Sequence, residues 1–62
     1  MPDAPAAELS SLASSLEELI ERIRRIAEEN AGTAHDAVAQ GLFEVERKLG
    51  EALRRLSRVA EA

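Results

Sequence analysis

Two runs of apolar residues alternate at spacings of three and four, and they are out of phase with each other. Leu9, Leu12, Leu16, Leu19, Ile23 and Ile26 occupy the a and d positions of a heptad pattern that continues to Asn30. His35, Val38, Leu42, Val45, Leu49, Ala52, Leu56 and Val59 repeat the pattern. Extending the first phase would place a positions at Ala37 and Glu44, whereas the second run has Leu42, a slip of two residues. Coiled coils absorb insertions of three or four residues, and a slip of two is neither. A single continuous helix would therefore rotate its apolar stripe away from any partner at this point.

The residues at the slip carry helix-end chemistry. Gly32 can adopt the left-handed conformation that closes a helix, and Asn30 is tolerated near such an end. Thr33 is a candidate N-cap, with Asp36 three residues on as an acidic form of the capping box. The alternative, one kinked helix, would need breakers and phase slip to coincide by chance. The reading is a single domain over residues 1–62: a first helix at about 5–30, a turn at about 31–33 and a second helix at about 34–60. Asp3 or Ala4 would precede the first helical turn, with Pro5 just inside it.

Two helices of this size cannot bury a globular core, because each leaves more than half its circumference in water. The sequence has no cysteine to form a disulfide and no metal-ligand cluster, so oligomerisation is the remaining source of stability. The positions next to the a/d stripe support this. They are Ala6, Ala13, Ile20 and Ala27 in the first helix, and Ala39, Glu46, Leu53 and Ala60 in the second. A two-stranded coiled coil favours charges at these e positions, whereas a wider apolar stripe suits a bundle helix with two neighbours. The expected architecture is all-α: an antiparallel helical hairpin that pairs into a four-helix bundle as a homodimer.

In that scheme the hairpin's own layers are Asn30/His35, Ile26/Val38, Ile23/Leu42, Leu19/Val45, Leu16/Leu49, Leu12/Ala52 and Leu9/Leu56. Self-association would rest on Leu9, Leu12, Leu16, Leu19, Ile23, Ile26, Val38, Leu42, Val45, Leu49, Leu56 and Val59. Phe43, the only aromatic residue, falls off the stripe and is expected to join Ala39 in a second seam against the other protomer. The other use for it is as an exposed anchor for a different protein. Gly41 and Gly50 lower the helix propensity of the second segment without shifting its phase.

Charge is unevenly distributed. Residues 1–31 carry a net −4 and residues 32–62 a net zero, with Arg47, Lys48, Arg54, Arg55 and Arg58 all in the last third. This asymmetry favours the antiparallel hairpin. Glu18 with Arg22 and Glu21 with Arg25 have the favourable acid-first spacing for helix ion pairs. An acidic chain without stacking aromatics argues against nucleic-acid binding. The patch of Arg47, Arg54 and Arg58 is either a solvated face or a docking patch for an acidic protein or a nucleic-acid backbone, and with Phe43 it is the candidate contact for a partner.

Catalysis has little to stand on. His35 lacks a second ligand at metal-binding spacing and a nucleophile with an orienting group, and paired glutamates on slender helices lack a cleft. His35 is expected to meet Asn30 beside the turn. No phosphate loop or zinc-finger spacing is present, so the expectation is a non-enzyme without cofactor or metal. No leader peptide or apolar span is evident, which predicts a cytoplasmic location. The abundance of arginine over lysine, together with alanine, suggests a GC-rich bacterial source. Two functions fit. One is a protein–protein interaction module that self-associates; the alternative is a small regulator that masks a transcription or DNA-binding protein through a mixed helical bundle.

Overall fold

The computed structural model describes residues 4–61, which form two helices packed as a hairpin. Helix α1 spans Ala4–Asn30 and α2 spans Asp36–Glu61. The expected capping role of Asp3 lies outside the described residues. The hairpin is long and thin, with principal extents of 53 × 14 × 9 Å. No helix among the described residues is long and apolar enough to cross a membrane.

The connection closes through a short chain of hydrogen bonds. The Ala31 amide still donates to the Ala27 carbonyl at 2.9 Å, and Gly32 then takes φ +76°, the conformation that redirects the chain. The Thr33 hydroxyl donates to the Asn30 carbonyl at 2.6 Å and accepts from the His35 amide at 3.0 Å. Asp36 Oδ1 accepts from the Gly32 amide at 2.7 Å. The expected box of Thr33 and Asp36 is thus present in a displaced form. Each side chain satisfies an amide one residue earlier than a regular capping box would.

This displacement explains why α2 begins at Asp36 and not near Ala34. The Asp36 amide bonds the Thr33 carbonyl at 3.1 Å, closing a separate tight turn. Only from the His35 carbonyl, which accepts from Ala39 at 3.2 Å, does the regular four-residue pattern start. Asp36 in the first turn and Arg58 in the last both suit the helix dipole of α2.

The seam between the helices keeps the residues of the expected layers Ile23/Leu42, Leu16/Leu49 and Leu9/Leu56 but replaces the other apolar layers. Its α1 side is Leu9, Ala13, Leu16, Ile20, Ile23 and Ala27; its α2 side is Ala39, Leu42, Glu46, Leu49, Leu53, Leu56 and Ala60. These are a and e positions. Ile26/Val38, Leu19/Val45 and Leu12/Ala52, expected as core layers, face solvent. The physical reason lies beside the turn, where a short connection forces the two axes together. Ala27 and Ala39, both fully buried, are small enough to permit that approach, and larger d side chains are not. Among the described residues only Ile20, Ala27 and Ala39 are buried.

A candidate interaction face

The displaced seam leaves the d positions uncovered. Leu12, Leu19 and Ile26 recur every seven residues on α1, as do Val38, Val45, Ala52 and Val59 on α2. The six larger ones are 42% to 54% exposed, far above what an aliphatic side chain in a finished core would show.

These two columns lie on the same broad side of the hairpin. In each helix the d column sits about 80° round from the centre of the a/e seam, on the side away from e. The helices run in opposite directions, so the same rotational offset carries both columns to one side. The result is a continuous apolar face two helices wide. On the outer edge of the α2 column lie Gly41, Lys48 and Arg55; on that of α1 lie Glu8, Ser15, Arg22 and Glu29.

The opposite broad side is polar and bridged. Arg24 Nε donates to Glu46 Oε2 at 2.7 Å across the seam, and Arg24 also lies 3.4 Å from Glu21. The hydrogen bond to Glu46 raises the Arg24 pKa above its ordinary value, helped by the charges of Glu46 and Glu21. Glu46 is therefore a seam residue whose carboxylate escapes to the rim, with its side chain 20% exposed. The sequence pairs Glu18–Arg22 and Glu21–Arg25 do not close; Glu21 takes Arg24 instead.

Phe43 is half-buried on this bridged side, and Ala39 is sealed inside the hairpin seam. The expected second seam of Ala39 and Phe43 against another protomer is thus replaced by intrachain packing of Ala39. Arg47 is exposed and engaged with Glu44 at 3.4 Å and Glu51 at 4.0 Å on its own helix. Arg54 and Arg58 line an open depression on the last turns of α2, with Lys48, Arg55 and Val59. His35 is exposed in the turn, while the Asn30 amide turns back to the Ile26 carbonyl at 2.8 Å. Among the described residues no group of three His, Cys, Asp or Glu side chains could hold a metal ion.

The sequence signal for the exposed face was the run of small residues at e. Alanines at positions 13, 27, 39 and 60 mark the side where two helices approach closely, and the branched aliphatics at d are then the side left over. No protein-family model matches the chain, and neither curated proteins nor solved structures provide a match.

Proposed function

We propose that this chain is a non-enzymatic self-association module, in which two hairpins meet on their d faces and form a four-helix bundle homodimer. The observation that carries this reading is the exposed apolar face built from two columns with a common seven-residue repeat. Each helix then has three apolar strips. The e strip meets the helix of the same chain, the d strip meets the other copy, and the a strip points between them to the bundle centre.

The dimensions suit a partner of the same size. A broad face 53 Å by 14 Å in extent covers roughly 700 Å², close to the about 800 Å² per partner of a standard protein interface. The hairpin alone buries one isoleucine and two alanines among its described residues, so a second copy would supply the missing core.

The test is solution mass over a concentration series with helicity recorded on the same samples, for the native chain and for Leu19→Asp and Val45→Asp. A helical dimer that becomes a monomer in both variants supports the proposal. A native chain that stays monomeric at all concentrations refutes it. That outcome would favour the second reading, a regulator whose apolar face awaits a foreign helix and whose acidic turn-proximal half meets a basic surface on a transcription or DNA-binding protein.

A further inference from the structure

Resting on the self-association reading, we infer that the two hairpins dock with their turns at opposite ends, so that α2 of one copy lies antiparallel against α2 of the other. Two copies that share the same broad face are related by a two-fold axis lying between the faces, and two orientations keep the helices of both copies aligned along their length. With the axis along the helices, both turns sit at one end and α1 covers the partner's α2. With the axis across the helices, the turns sit at opposite ends and each helix covers its own counterpart. The apolar columns do not distinguish the two, because every column repeats at the same seven-residue interval in either direction.

Charge does distinguish them. Folding places residues 17–46 in the half of the hairpin nearest the turn, where eight carboxylates face three arginines for a net −5. The rest of the chain, residues 1–16 and 47–62, holds five cations and four carboxylate side chains for a net +1. The molecule is therefore polar along its 53 Å axis. Turns at the same end would stack the two −5 halves on each other. Turns at opposite ends place each −5 half over a weakly positive half, twice.

The polarity is concentrated in the helix that would face itself. Residues 36–46 of α2 hold three carboxylates and no Lys or Arg, a net −3, whereas residues 47–61 hold a net +3. Antiparallel α2 pairing matches these segments reciprocally. Lys48 and Arg55 at the edge of the d column, with Arg58 behind them, would lie toward the acidic segment containing Glu44. Arrangement of opposite potentials across a face fixes orientation even where it adds little affinity. Like-charge stacking of the turn halves is the cost that the other orientation carries.

The experiment measures the distance between the two turns. The chain has no cysteine, so Ala34→Cys places a unique spin label at an exposed turn position, and Ala31→Cys supplies a second. Dipolar spectroscopy on the full-length labelled dimer should give a separation of about 40–50 Å, since roughly 13 residues of helix, about 20 Å, plus the turn itself lie between label and bundle centre on each side. Turns at the same end would put the labels within about 20 Å, given interaxial distances near 10 Å. A dimer with the short distance at both positions overturns the orientation and leaves self-association intact. A chain that remains monomeric at the labelling concentration overturns both.

Discussion

Arg24 and Glu46 make the only ion pair that joins α1 to α2 among the described residues, with Nε and Oε2 2.7 Å apart. The pair lies on the polar side of the hairpin, behind the apolar face. One broad side is thus bridged and polar, and the other exposes the aliphatic d residues. Glu46 occupies an e position, where its neighbours along the seam are aliphatic or alanine, so the ion pair interrupts an otherwise apolar strip.

Glu46→Leu should continue that strip and raise the thermal midpoint of the hairpin, because packing a half-buried seam position with an aliphatic outweighs a solvent-screened pair. Arg24→Ala should lower the midpoint slightly at low salt and not measurably at high salt. Circular-dichroism melts at two ionic strengths check both; a lower midpoint in Glu46→Leu would show that the carboxylate matters to the fold. The raised Arg24 pKa adds stability at every pH below the ordinary arginine range and loses it only as pH rises through the raised value, so this guanidinium contributes no pH dependence near neutrality.

Ala27 and Ala39 face the seam beside the turn, and each is fully buried. Ala27→Leu or Ala39→Leu should destabilise the hairpin by about 1–3 kcal/mol through overpacking. Denaturant titration at a concentration well above any dimer dissociation constant reads the loss. Near-neutral behaviour would mean that the seam lies elsewhere.

Gly32 takes a left-handed backbone, so Gly32→Ala should cost about 1–2 kcal/mol. Thr33→Ala removes a hydroxyl that both donates to Asn30 and accepts from His35, and should cost about 1 kcal/mol. Amide hydrogen exchange at Gly32 to Asp36 would locate the loosening in the turn, with the distal ends of both helices unchanged.

Gly41 lies at the edge of the d face, and an added Cβ there meets nothing within 4 Å; at Gly50 it meets only the end of the Arg54 side chain at 4.0 Å. Alanine at either site should stabilise the helix by about 1 kcal/mol. The proposed dimer would separate the two sites. Gly50→Ala should leave association unchanged, whereas Gly41→Ala reports on how closely a second copy approaches that edge. Stability at low concentration and mass at high concentration, measured for both variants, make the comparison.

The heptad slip and Gly32 made two helices and their turn legible from the residues alone. Which apolar strip closes the hairpin was not. Leu12, Leu19 and Ile26 are better hydrophobes than Ala13 and Ala27, and hydrophobicity alone assigns them to the inside. The deciding variable is the distance between axes, set by a five-residue connection, and a one-dimensional pattern does not contain it. Small residues win at close range because they let backbones approach, and the larger side chains are displaced outward. Phe43 stands at the neighbouring b position and is half-buried. Once the seam rotates toward e, that position comes partly under cover. The ion pair of Arg24 with Glu46 links residues 22 apart and depends on a register that the sequence leaves free by several residues.

The sparse interior of the hairpin makes the amount of protein a thermodynamic variable. If a second copy completes the core, dilution acts as a denaturant: below the dissociation constant the chain gives up its structure, and above it each copy shelters the other. A cellular protease would then read abundance directly, clearing the chain when it is scarce and sparing it when it is plentiful.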